Sequence, residues 1–268
     1  MKTAKKNLKY QSPGINEESR YEKLHTVTFE NSKEGSVSIA REICDLVKAK
    51  QEKNKSCVVG FATGSSPTKV YQEIIRIHKE ESLSFKNVIA FNLDEYFPIN
   101  KDDKNSYHHF MRENLFDHLD IPLENINIPS GEIKEKLVKK YCMQYEKKIQ
   151  ESGGIDIQLL GIGRTGHIGF NEPGSHFNSK TRLITLDNTT RFDASKSFNG
   201  IENVPSKAIT MGVRTIFNSK RIIVMAWGTQ KSLIAKKSVE SDVSSLIPAT
   251  YLQKHKNATL VLDKECSN

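Results

Sequence analysis

The sequence predicts an α/β domain, a largely parallel sheet with helices on both faces, and three observations carry that expectation. Short apolar runs of strand length recur along the chain. Most are separated by segments whose apolar residues repeat every three to four positions, and four of the runs end in unusual glycine-rich or acidic exits. Such alternation needs crossover connections, which make neighbouring strands parallel. A chain of 268 residues with 37% hydrophobic and 27% charged residues can bury one large core, so a single domain is expected.

Residues 1–21 are polar and lysine-rich, carry Pro13 and Gly14 and show no sustained period, which reads as an N-terminal extension; residues 22–268 make the domain. Residues 24–29 alternate like a first strand. Ser32 can cap the helix that follows, with Val37, Ile39, Ala40, Ile43, Leu46 and Val47 on its apolar face. Residues 57–62 form a second strand, followed by a helix with Val70, Ile74 and Ile77 on one side, where Ser66 suits the N-cap and Pro67 the first helical position. Residues 88–93 are a third strand, and 105–116 read as a helix burying Phe110, Leu115 and Phe116. Strands at 155–160, 222–227 and 258–262 complete the rhythm, with an added strand at 181–186.

Several classes are disfavoured. No run of about 18 apolar residues occurs, and the basic start lacks the apolar stretch of a secretory signal, so a cytoplasmic protein is expected. Cys44, Cys57, Cys142 and Cys266 are scattered, without a C-x-x-C pair or a histidine at zinc-finger spacing, and read as reduced thiols. The net charge of +8 is spread among acidic residues rather than gathered with aromatics in one stripe, which fits a solvated surface better than a nucleic-acid footprint.

Open α/β sheets bind ligands beyond the carboxyl ends of their strands, so the exits are where chemistry is expected. The first, Gly60-Phe61-Ala62-Thr63-Gly64-Ser65-Ser66-Pro67, joins a glycine turn and hydroxyls to a helix start. Free N–H groups and a positive dipole end there suit a phosphate, although an ordinary capped helix is the plain alternative and the Walker pattern is absent. The second drives an apolar run into Asp94 and Glu95. Exposed loop acids are common, but a carboxylate desolvated at the mouth of such a strand has its pKa pushed up, as a carbon-acid base requires, so Asp94 is the candidate base.

The third exit contains Gly161-x-Gly163-x-x-Gly166, a literal dinucleotide-binding pattern with Asp187 near the expected ribose acid. That pattern needs a helix opening at its third glycine, and Pro173-Gly174 would break one, so no nicotinamide cofactor is expected. What remains is a glycine-rich loop carrying His167, with Glu172 five residues on. A solitary histidine is more often structural than catalytic, yet flanking glycines leave little mass to bury this one. The fourth exit, Trp227-Gly228-Thr229-Gln230-Lys231, puts a lysine in the first turn of a helix, where the dipole disfavours a cation unless an anion or solvent compensates. His108 and His109 are adjacent on a helix and cannot both face one metal ion; Tyr107 and His108 are candidates to line the cleft.

Together TGSSP (63–67), NLDEY (92–96), SYHHFM (106–111), GHIGFNEPGS (166–175) and GTQK (228–231) resemble glucosamine-6-phosphate deaminases in order and spacing from residue 26 to residue 263. The resemblance implies a Rossmann-like fold, shared with 6-phosphogluconolactonases, and an aldose-ketose isomerising deaminase that turns glucosamine 6-phosphate into fructose 6-phosphate and ammonia in amino-sugar catabolism. By the same resemblance Asp94 moves a proton from C2 to C1, and His167, oriented by Glu172, assists ring opening. Thr63, Gly64, Ser65, Ser66 and Lys231 hold the phosphate, and Lys196 stands at the position of a phosphate-contacting arginine. The implied partner is an amino-sugar phosphate, with no metal, organic cofactor, nucleic acid or membrane; a homo-oligomer is compatible with it.

Departures from the family pattern matter. Thr165 stands where many members have Asp, which takes one carboxylate away from the imidazole. Arg182 fits an allosteric-site pattern of some bacterial hexamers, but Ile184 replaces its lysine, so that regulation is not expected. The sequence ends soon after residue 263, where typical members continue, and reads either as complete or as one module of a longer polypeptide. Two other readings stay open. One is a lactonase using His167 as base, although Tyr96 stands where lactonases usually have arginine and Asn171-Glu172-Pro173 is foreign to them. The other is a phosphosugar-binding or regulatory module with weak turnover, for which Thr165 and the short C-terminus argue. Galactosamine 6-phosphate is not distinguished from glucosamine 6-phosphate.

Overall fold

The computed structural model describes residues 21–268; the extension expected at 1–21 lies, apart from Tyr21, outside the described residues. The elements in chain order are β1 (Thr26–Phe29), α1 (Ser32–Gln51), β2 (Cys57–Phe61), α2 (Thr68–Glu81), β3 (Val88–Asn92), β4 (Asp94–Phe97), α3 (Tyr107–Asn114), β5 (Ile126–Asn127) and α4 (Val138–Glu151). They continue with β6 (Ile157–Gly161), β7 (Arg182–Thr185), α5 (Asn188–Ala194), β8 (Lys207–Thr210), α6 (Val213–Phe217), β9 (Ile222–Ala226), α7 (Ser232–Glu240), β10 (Ala258–Asp263) and α8 (Lys264–Ser267).

Seven strands form a parallel sheet in the order β1-β10-β9-β6-β2-β3-β5. Strand periodicity divides its side chains between two cores. Ile222, Val224 and Ala226 of β9 join a core with Tyr145 and Ile149 of α4 and Ile234 of α7. Ile223 and Met225, one residue out of phase, join the opposite core with Ile39 and Ile43 of α1 and Val70 and Ile74 of α2. Burial on both faces explains why these strands are apolar throughout rather than alternating.

From β2 the chain first builds outward to β3 and β5, then returns to the other side of β2 with β6, β9 and β10. The order therefore reverses between β2 and β6, and a crevice opens where their carboxyl ends diverge. The four exits singled out from sequence belong to β3, β2, β6 and β9, which are consecutive neighbours in the sheet.

A second, three-stranded antiparallel sheet, β4-β8-β7, stands over this crevice. Residues 94–96, expected as an exit loop, are instead the start of β4, and Leu93 alone separates β3 from β4. Leu93 N–H donates to Phe61 O at 3.0 Å, and its carbonyl accepts from Met211 N at 2.7 Å, tying both sheets at that point. The segment 181–186 is β7, and it lies in this small sheet. Three local expectations are corrected. The α1 cap is Asn31, whose side chain accepts from Glu34 N–H, rather than Ser32. Val37 is exposed, and Phe110 is only half-buried, packing at the edge of the second core. Pro67 occupies the α2 cap position, and no side chain, Ser66 included, caps that helix.

Candidate active site

A cavity of about 350 Å³ lies at the crevice. It is lined by residues 62–66 after β2, Leu93 and Asp94 after β3, the 161–170 loop after β6, Lys231 after β9, Tyr96 and Tyr107, and Thr190, Asp193 and Ala194 of α5.

The turn after β2 is held from outside. Tyr71, fully buried on α2, donates its hydroxyl to Ala62 O, and Trp227 Nε1 donates to Ser66 O at 3.0 Å. Gly64 has φ +97°, a conformation costly for other residues. Among the described residues the N–H groups of Thr63, Gly64, Ser65 and Ser66 have no hydrogen-bond partner. They sit at the start of a 14-residue helix, so the turn presents free donors and the positive end of a dipole to the cavity. Lys231 follows the turn at Gly228, which is fixed by its N–H donating to Asp263 Oδ1 at 2.9 Å. Burial lowers the Lys231 pKa, and it has no ion-pair partner among the described residues.

Asp94 is 4% exposed. Burial, reinforced by the neighbouring Glu95 charge, holds its carboxyl well above the usual carboxylate range; the Phe170 N–H acts the other way. Its Oδ2 lies close to the Cα of Gly169, where a Cβ would come within 3.2 Å of that oxygen and 3.1 Å of Thr210 Oγ1. Glu95 has a different task. Its carboxylate accepts from Tyr96 N at 2.9 Å, Tyr107 N at 2.8 Å and His108 N at 2.9 Å, so it ties the first turn of α3 to β4. Burial pushes Glu95 up to about 7, against those three donors.

No helix opens in the 161–174 loop, as the proline-glycine pair requires. His167 lies flat over Gly163, where any Cβ would overlap the ring at about 2.0 Å from Nε2. This is the physical reason for glycine at that position, and it takes the place of a phosphate-binding role for the G-x-G-x-x-G pattern. Nδ1 is 2.9 Å from Thr165 Oγ1 and 3.3 Å from Glu172 Oε2, while Nε2 has no hydrogen-bond partner among the described residues. Thr165, standing where many family members have Asp, is thus the group that bonds the ring nitrogen, while Glu172 Oε2 lies close behind without a hydrogen-bond partner among the described residues. The loop is pinned by Asn171, fully buried, whose Nδ2 donates to Ile168 O at 2.9 Å and Met211 O at 2.8 Å and whose Oδ1 accepts from Arg182 at 2.9 Å. Arg182 also bonds Ser175 Oγ at 3.1 Å, so its guanidinium serves this brace.

The structure brings Thr63, Gly64, Ser65, Ser66, Asp94, His167 and Lys231 to one cavity, with Glu172 immediately behind the imidazole. Lys196 is not brought there. It is exposed on the turn after α5 and does not line the cavity, because the chain has already left the rim at Ala194. Tyr107 lines the cavity and His108 does not; its N–H is spent on Glu95. Arg164, Thr190 and Asp193 line it without having been singled out. Arg164 and Asp193 carry no motif, and only their meeting across 29 residues reveals them.

The sequence matches the family of glucosamine-6-phosphate isomerases/6-phosphogluconolactonase over residues 30–261. The chain belongs to this family. Among its relatives, a protein of Bacteroides thetaiotaomicron named putative glucosamine-6-phosphate deaminase-like protein is 49% identical over 93% of this chain, which spans 38% of that relative's length. The glucosamine-6-phosphate deaminase of Oceanobacillus iheyensis is 44% identical, with 90% of this chain and 94% of the relative aligned. A solved structure of a monomeric glucosamine-6-phosphate deaminase superposes with a TM-score of 0.87 at 39% identity, covering 91% of this chain and 99% of the other. The family's fold is the Rossmann-like α/β architecture described above. Among the described residues the four cysteines are free and buried, and no helix is long and apolar enough to cross a membrane.

Proposed function

We propose that this chain is a cytoplasmic glucosamine-6-phosphate deaminase, converting glucosamine 6-phosphate and water into fructose 6-phosphate and ammonia. One observation carries the reading: a buried carboxylate, an imidazole oriented through Nδ1 and a turn of unpartnered N–H groups with a lysine face one cavity of small-ligand size. The phosphate sits on residues 63–66 and Lys231, which fixes the sugar chain with its other end toward Asp94 and His167.

His167, through Nε2, exchanges a proton with the ring oxygen and opens the pyranose. Asp94 as carboxylate then removes the C2 proton of the open-chain aldehyde while the C1 oxygen gains a proton, leaving an enolamine, and returns its proton to C1 as the amine nitrogen gives one up, to give a 2-imino sugar. Water adds at C2 and ammonia leaves, which closes the balance. The raised Asp94 pKa suits this shuttle, because a stronger base takes a carbon-bound proton more readily. Among family activities, deamination is favoured over lactone hydrolysis by Glu172 within 3.3 Å of the imidazole and by Tyr96 where an arginine would otherwise stand.

The test is to incubate purified protein with glucosamine 6-phosphate and follow ammonia and fructose 6-phosphate. Binding without either product would overturn the assignment in favour of a phosphosugar-binding module. The same assay with galactosamine 6-phosphate defines the epimer, and size-exclusion with light scattering defines whether copies associate.

A further inference from the structure

Asp193, on α5, is a carboxylate at the cavity rim that the proposed reaction does not use. Both its oxygens are taken by one guanidinium: Arg164 Nε donates to Oδ2 at 3.0 Å and Nη2 donates to Oδ1. Arg164 comes from the histidine loop and also lines the cavity. Lys231, without an ion-pair partner of its own among the described residues, lies within electrostatic reach of both, favoured by Asp193 and opposed by Arg164. Two cations and, besides Asp94, one carboxylate thus border the cavity that the bare N–H groups of residues 63–66 also line.

We infer that Asp193 is an internal stand-in for the substrate's phosphate: it holds Arg164 until the substrate arrives and then yields it to the phosphoryl oxygens, making Arg164 a phosphate ligand beside Lys231. The inference rests on the reading above only for the identity of the phosphate-bearing ligand. Three physical points support it. A guanidinium fork fits a phosphate as it fits a carboxylate, so the same donors serve both partners. The pair is open to water, its side chains 49% and 41% exposed, and pairs so placed are weak enough to be exchanged. A phosphate dianion meets Arg164, Lys231 and the free N–H groups together, whereas Asp193 offers a single charge. Left in place, Asp193 would repel the ligand that Arg164 attracts; its loss from the pair lowers that cost. The expected role of Lys196, which the structure leaves outside the cavity, falls to Arg164 instead.

The rival account is a fixed strut between the histidine loop and α5. A strut is broken equally from either end, so Asp193→Asn and Arg164→Ala would shift binding in the same direction. Exchange predicts opposite signs. Inorganic phosphate binding by calorimetry and the KM for glucosamine 6-phosphate are measured for wild type, Asp193→Asn, Arg164→Ala, Arg164→Lys and the Asn/Ala double variant, with melting temperature as a folding control. Asp193→Asn should tighten phosphate binding and lower KM by about two- to fivefold, and Arg164→Ala should weaken both by about tenfold, with kcat changing less than KM. Arg164→Lys should recover part of that loss, and the gain from Asp193→Asn should be smaller in the Arg164→Ala background than in wild type, because no guanidinium is left to be freed. Changes of the same sign, or an Asp193→Asn variant with unaltered phosphate binding, would overturn the inference. Opposite-signed phosphate binding in a protein that releases no ammonia would leave this inference standing and remove the deaminase reading. Turnover with same-signed variants would do the reverse.

Discussion

On the cavity wall made by residues 63–66 and Lys231, the N–H groups and the ammonium have no partners within the described protein, whereas on the wall made by Asp94 and His167, with Glu95 buried behind it, the groups are held by their neighbours. The backbone of the first wall is braced through its carbonyls, by Tyr71, Trp227 and Thr68, so its N–H donors stay free for a ligand. The second is fixed by burial, by Glu95 accepting three backbone N–H groups, and by a glycine under the imidazole. Unsatisfied groups supply affinity, because a ligand gives them what the protein withholds. Over-determined groups supply chemistry, because their geometry and protonation are set before substrate arrives.

This contrast is sharpened most by Asp94→Asn. The wall of fixed groups should lose kcat by about 10²- to 10⁴-fold in an ammonia-release assay, with KM near wild type. A loss confined to KM would erase the distinction. In wild type the acid limb of kcat/KM should lie well above the ordinary carboxylate range, since burial raises the Asp94 pKa and only the ionised form is a base. Next in size, His167→Gln should lower turnover of the cyclic substrate by about 10²-fold and spare substrate presented in open-chain form. Equal impairment on both forms would remove the ring-opening role.

On the opposite wall, Lys231→Ala should raise KM about tenfold while leaving melting temperature nearly unchanged, because no internal bond is broken. A large stability loss would make the lysine structural. The smallest effect concerns Glu95→Gln, which keeps an acceptor for α3. Glu95 is raised to about 7, so its contribution to stability is full below the ordinary carboxylate value of about 4.3 and is lost as pH rises through about 7. The melting temperature of wild type relative to Glu95→Gln should therefore fall by several degrees across that window, about 2–4 °C for each kcal/mol lost in a domain of this size. Parallel curves would mean that Glu95 titrates alike folded and unfolded.

How much of this was legible depends on the sheet. Strands β2, β3, β6, β9 and β10 are buried on both faces, so their apolar runs announced them to within two residues at either end. Of the small sheet, only β7 was anticipated. Asp94–Phe97 begins with two acids and Lys207–Thr210 is short and starts with a charge, so β4 and β8 resemble loops until their pairing is seen. That Asp94, His167 and Lys231 meet at one rim could be anticipated because each lies in the joint or loop that follows a strand whose direction is dictated by its neighbours. The Arg164–Asp193 pair and the Asn171–Arg182 brace could not, because they join segments whose approach only tertiary packing decides. Lys196 lies outside the cavity for the same reason, since a position carried over along the chain says nothing of where a turn swings its side chain.

The one-residue joint at Leu93 has a further implication for what changes the chain can absorb. Successive residues of an extended segment face opposite ways, so inserting or deleting one amino acid there would send the Asp94 carboxylate out of the cavity, while also dragging β4 out of step with β8. Chain length at this joint is therefore constrained as tightly as the pairing of the small sheet.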